Sequence, residues 1–150
     1  MLAHITVAAL LLLAGCAAPP RVEQAKPDAT KEAGYADAVE QLAALDREAE
    51  ELLKRGRSDA AAAAITRGQP LQARLLTAPR PTLAAMEAIS DLDDLYGRML
   101  LVNGNDGWAR MLFQKNLARW KIWEPKTADT TRRLQRAQAA IAECDRRLKQ

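Results

Sequence analysis

The sequence predicts an all-α protein, a small helical bundle of four to five helices. Three observations predict it. Ala, Leu, Arg, Glu and Gln dominate the 150 residues, and all are good helix formers. Val and Ile are scarce and there is a single Phe, so the residues a sheet depends on are largely missing. Apolar residues recur at helical spacing in segments bounded by Gly and Pro, the usual punctuation of helices. After a leader and a tether are removed, about 120 residues remain, enough for one hydrophobic core. The expected organisation is residues 1–15 as leader, 16–30 as tether and 31–150 as the helical bundle domain.

The first element is an apolar run over residues 5–14, ITVAALLLLA. Ten residues suit the hydrophobic region of a signal peptide and fall short of the roughly twenty needed to span a bilayer. The run ends in Leu13-Ala14-Gly15-Cys16. Small residues before a thiol let an extended chain enter a narrow peptidase cleft, and the thiol is a good nucleophile. This segment resembles the lipobox of bacterial lipoproteins. Unlike most signal peptides, it has no Lys or Arg ahead of the apolar run, only His4. The resemblance implies cleavage before Cys16 and a lipid (diacylglyceryl, with further acylation such as palmitate) on that residue. It implies a membrane partner through the Cys16 anchor and a place in the cell envelope. Ala17 follows the cysteine, rather than the Asp that favours inner-membrane retention. In a Gram-negative organism the implied location is therefore the outer membrane, facing the periplasm. Residues 17–30 hold Pro19, Pro20 and Pro27 with few apolar side chains, so this stretch is expected to be an extended, flexible tether.

The bundle then follows in order. A first helix over 31–55 places Tyr35, Ala38, Val39, Leu42, Leu45, Ala49, Leu52 and Leu53 on one face. Gly56 suits its end and Ser58 the cap of the next helix. That second helix, 58–77, contains Gly68 and Pro70, which are expected to kink or split it. Pro79 and Pro81 break the chain again. Thr82 can cap a third helix over 83–102, striped by Ile89, Leu92, Leu95, Tyr96, Met99 and Leu100. Residues 103–107 (NGNDG) read as a turn; in the calcium-loop register they put Trp108 where Gly is required. A fourth helix covers 106–123. A fifth, 129–149, has a narrow seam of Leu134, Ala137, Ile141, Cys144 and Leu148, with arginines outside it.

The only histidine is His4, within the leader. A processed chain would hold none, which sets aside Ser-His-Asp chemistry, His-ligated zinc and the Glu-x-x-His pairs of di-iron bundles. No phosphate-binding or dinucleotide glycine pattern is present. No cofactor, metal or catalytic residue is therefore expected, and the protein reads as a non-enzyme. A carboxylate-only site would draw on Glu87, Asp91, Asp93, Asp94 and Asp106. Glu87, Asp91 and Asp94 lie opposite the apolar stripe, however, and Asp94 has Arg98 at i,i+4, so they read as a solvated face.

Charge is unevenly spread. Residues 1–95 carry 10 Lys/Arg against 14 Asp/Glu, and residues 96–150 carry 12 against 5. The basic end suits an anionic partner or a solvated surface; export sets nucleic acid aside as that partner. Five of the six aromatic residues fall between Tyr96 and Trp123. Two readings of the fourth helix stay open. Trp108, Phe113 and Trp120 fill the core, or Trp108, Asn116, Arg119 and Trp123 form a semi-exposed binding surface. The function expected is that of a membrane-anchored envelope lipoprotein with a non-catalytic binding or structural role. The alternative is a protein that binds or acts on a glycan such as peptidoglycan through segment 96–123.

Overall fold

The computed structural model describes residues 28–150, which form five α-helices joined by short turns, with no strand among the described residues. The leader, Cys16 and residues 17–27 lie outside the described residues. The last part of the expected tether is not extended. Asp28 accepts hydrogen bonds from the Thr30 N–H at 3.1 Å and its hydroxyl at 2.7 Å, winding Ala29–Lys31 into a 3-10 turn.

Helix α1 spans Tyr35–Lys54. It starts four residues later than the sequence predicts because Gly34 sits at φ +82°, a left-handed conformation that no helix continues through. Helix α2 spans Ser58–Leu75. Ser58 is its first helical residue rather than its cap, which falls on Arg57 without a side-chain hydrogen bond. The helix also runs unbroken through Gly68 and Pro70, so these residues do not split it. Pro70 lies on the exposed side, where the carbonyl its missing N–H leaves unpaired can turn to water. Gly68 is where three helices converge. A Cβ there would lie 2.9 Å from Leu92 Cδ1 and 3.1 Å from Leu42 Cδ1, so the glycine marks a close approach of helices and not a break.

Helix α3 spans Leu83–Val102, as predicted, and Thr82 Oγ1 accepts from the Ala85 N–H at 3.2 Å. Helix α4 spans Asp106–Ile122. Helix α5 spans Ala128–Arg147 and starts on a capping box, in which Thr127 and Thr130 satisfy each other's backbone N–H.

Arg74, near the end of α2, donates to the Ala33 carbonyl just before α1, so α1 and α2 run antiparallel. Helix α3 packs on both of them and on α4, and α4 packs on α5. Helix α3 is the central element. The main core lies among α1, α2 and α3, around Leu42, Ile65, Leu75, Ile89 and Leu92. A smaller one joins α3, α4 and α5 through Phe113, Ala109 and Cys144. Gly97 of α3 makes room for Phe113, since a Cβ there would lie 2.6 Å from its ring. Cys144 is buried in this second cluster as a free thiol, and burial pushes its pKa up. That makes it a small core residue rather than a nucleophile. Leu148, expected in the α5 seam, is 55 % exposed.

Candidate functional site

The four residues expected to share a surface on α4 are divided between two environments. Trp108 is 64 % exposed, whereas Asn116 is 3 % exposed. Asn116 Nδ2 donates to the Ser90 carbonyl at 2.9 Å, and its Oδ1 accepts from Arg119 at 2.7 Å. Arg119 also pairs with Asp93, whose other oxygen accepts from Gln72 Nε2 at 2.9 Å. Trp120 Nε1 donates to Ser90 Oγ at 2.8 Å. Together these bonds form a buried polar network linking α2, α3 and α4. Asn116 and Arg119 are spent inside it because leaving such groups unpaired in the interior costs more than the bonds yield. Trp123 is half-buried, with its ring edge-on to Trp120 at 6.1 Å, and Arg133 stacks over Trp120 at 5.5 Å. Phe113 and Trp120 fill the core, as one reading expected; Trp108 does not.

Trp108 instead lines an open groove of about 450 Å³ between α3 and α4, with Tyr96, Leu100, Met111 and Lys115. Tyr96, expected in the apolar stripe, is 37 % exposed there, and Met111 is 46 % exposed. An aromatic pair with an amine and the Asn105 amide nearby can hold a flat or sugar-like ligand by stacking and hydrogen bonding.

A second groove, about 430 Å³, lies along α3 between α1 and α5. Two of the three carboxylates expected on a solvated face, Asp91 and Asp94, are found here, partly buried and paired with arginines. Arg133 of α5 grips both oxygens of Asp91, at 2.6 and 3.3 Å, and reaches Asp129 of its own helix at 2.8 Å. Arg98 pairs with Asp94 at 3.1 Å, the i,i+4 contact the spacing predicts, and also with Glu50 of α1. Burial pushes the Asp94 carboxyl above its ordinary value despite Arg98, while the hydrogen bond from Arg98 holds Glu50 below its own. Burial works against the Arg133 charge, but hydrogen bonds to Asp91 and Asp129 raise its pKa further still. Glu87 is half-buried and raised by desolvation. Asp106 pairs with Arg147 at 3.3 Å.

The groove's most unusual member was missed at the sequence level. Asp46 of α1 is 6 % exposed, and neither carboxylate oxygen has a hydrogen-bond partner among the described residues. Burial first, and Asp91 second, push its pKa to about 8. A signal was available. The buried positions of α1 run Tyr35, Ala38, Leu42, Asp46, Ala49, so a carboxylate occupies a helical-stripe position. Among the described residues, no cluster of three or more His, Cys, Asp or Glu is placed to hold a metal ion, and no helix is long and apolar enough to cross a membrane.

The fold defines the class as a five-helix bundle. Comparison with protein-family models, with curated proteins and with solved structures finds no match to this chain.

Proposed function

We propose that this protein is a lipid-anchored lipoprotein of the bacterial envelope whose helical bundle has a non-catalytic binding or structural role. The observation that carries this reading is Leu13-Ala14-Gly15-Cys16 at the end of a ten-residue apolar run. The engagement of Asp91, Asp93, Asp94 and Asp106 with arginines supports a non-catalytic role. Their lone pairs are committed to partners rather than to a substrate or an attacking water. Labelling cells with radioactive palmitate tests the anchor. The wild-type chain takes up label and Cys16→Ser does not, remaining instead as a longer precursor. Equal processing of both without label overturns the proposal.

A second reading is favoured by one observation, the exposed Trp108 that lines the α3–α4 groove together with Tyr96. In this reading the groove holds a glycan strand, with Trp108 and Tyr96 stacking on sugar rings. Peptidoglycan fragments should shift the Trp108 fluorescence and protect it from acrylamide, and Trp108→Ala should abolish retention on insoluble peptidoglycan. Undiminished retention of Trp108→Ala rules this reading out.

A further inference from the structure

We infer that the groove between α1, α3 and α5 is a binding site for a small zwitterion, whose ammonium group is received by Asp46 and whose anionic group is received by Arg136 and Arg47. This goes beyond the envelope role and does not depend on the anchor.

The inference begins with charge accounting. Apart from Leu95, every residue lining this groove is ionisable. Most are already paired with one another or, for Arg133, also with Asp129, as described above; Lys54 and Glu51 complete the set at 3.0 Å. Three lining residues make no ion pair among the described residues: Asp46, Arg47 and Arg136. One is a buried carboxylate with both oxygens unsatisfied. The other two are exposed guanidinium groups on opposite walls, α1 and α5.

An orphaned buried carboxylate is costly, and native structures rarely keep one without a partner. An ammonium group supplies the N–H donors those oxygens lack, and planar guanidinium groups match a carboxylate or phosphate. The groups facing Asp46 reinforce a cation there. Asp91 and Asp93 of α3 act on it with the same sign, and only Arg47 opposes them appreciably. From α1 Glu50, from α3 Asp94 and Arg98, and from α5 Arg133 also face the groove, and all four are neutralised by pairing. The volume, about 430 Å³, lies within the range of small-molecule sites. Asp46 lines this groove although its oxygens are buried.

Ligand binding then has a proton signature. Near neutral pH the Asp46 carboxyl is largely protonated, since burial raises it to about 8. An ammonium ion binds the ionised form, so one proton leaves Asp46 for the buffer on binding.

The chemistry is shared by two sources, an amino acid or peptide residue and a lipid headgroup of the ethanolamine phosphate type. The test is calorimetric titration of the full chain with glycine, β-alanine, 4-aminobutyrate and ethanolamine phosphate, each in two buffers of different ionisation enthalpy. Ethylamine and acetate serve as controls. At least one zwitterion should bind saturably with release of close to one proton per site, and more tightly than either control. A preference for an amino carboxylate or for ethanolamine phosphate identifies the source. Asp46→Asn, nearly isosteric and neutral, should abolish the proton release and weaken binding by about tenfold or more, the loss expected from one charged hydrogen bond. Arg136→Ala should weaken the zwitterion and leave ethylamine unchanged. Circular dichroism of both variants separates loss of site from loss of fold. No saturable heat from any zwitterion overturns the inference, as does binding that Asp46→Asn leaves intact.

Discussion

Asp46 concentrates the conflict between folding and chemistry in one side chain. Unfolded, its carboxyl ionises near pH 3.8; folded, it holds its proton to about pH 8. Between those values the folded state binds the extra proton, so stability falls as pH rises and levels off above the folded value. Each pKa unit corresponds to about 1.4 kcal/mol, so several kcal/mol are at stake across the window. Asp46→Asn removes the titration. Urea denaturation should show the variant close to wild type near pH 4 and more stable by a few kcal/mol at pH 8. A constant difference across that range would refute it. Comparing variant with wild type is essential, because Glu50, Asp129 and Glu143, held below their ordinary values by arginine hydrogen bonds, act oppositely and lose their contribution on acidification. At this scale the sequence was only partly legible. The Asp94–Arg98 pair followed from i,i+4 spacing. Pairs between helices, such as Arg133–Asp91 across 42 positions of sequence, depend on how helices pack and leave no local trace. Asp46 was legible in principle, as the polar member of a buried stripe, but Leu45 beside it drew the apolar face one position away.

Helices themselves were read from the sequence to within a few residues at nearly every end, because Thr82, Gly56 and the NGNDG turn act locally. The exception was α2, where Gly68 and Pro70 looked like a break. A glycine that ends a helix and one that lets two helices touch are identical in sequence, and only the neighbours Leu42 and Leu92 tell them apart. The two contact glycines give a graded prediction. Replacing a mid-helix glycine by alanine gains about 1 kcal/mol of helix propensity. At Gly68 the new Cβ meets the ends of flexible leucine side chains at 2.9 to 3.3 Å, so the gain and the crowding should nearly cancel. At Gly97 it meets the Phe113 ring at 2.6 Å, and that ring is 1 % exposed with nowhere to go. Gly97→Ala should therefore destabilise by about 1–3 kcal/mol, and adding Phe113→Leu should recover part of the loss. Thermal melts of the three variants decide it, and equal melting points for Gly68→Ala and Gly97→Ala would contradict the packing argument.

Across the whole molecule, the acidic and basic halves of the chain meet where Arg119 of α4 and Arg133 of α5 reach Asp93 and Asp91 of α3. The uneven charge was visible in the sequence, but the pairing of its two halves was not, because complementarity appears only once Arg133 of α5 lies against Asp91. Helix α5 buries little apolar surface. Only Thr130, Ala137 and Cys144 of its residues are fully buried. Beside that burial and the partly buried Ala140 and Ile141 of the second core, it is held by Arg133 on Asp91, by Asp145 on Arg110 at 2.6 Å, and by Arg147 on Asp106 and the Leu101 carbonyl. The core of α1, α2 and α3 is sealed by aliphatic side chains. Exposed ion pairs contribute at most about 1 kcal/mol each and are screened by salt, whereas apolar burial is not. The molecule should accordingly open from its C-terminal end. In hydrogen exchange followed by mass spectrometry, amides of α5 should exchange faster than those of α3, with a local opening free energy below that of global unfolding. High salt should widen the gap by weakening the α5 pairs and leaving the three-helix core untouched. Protection of α5 equal to that of α3, insensitive to salt, would mean that Ala137 and Cys144 alone hold the helix and that the arginine pairs are ornaments of the surface.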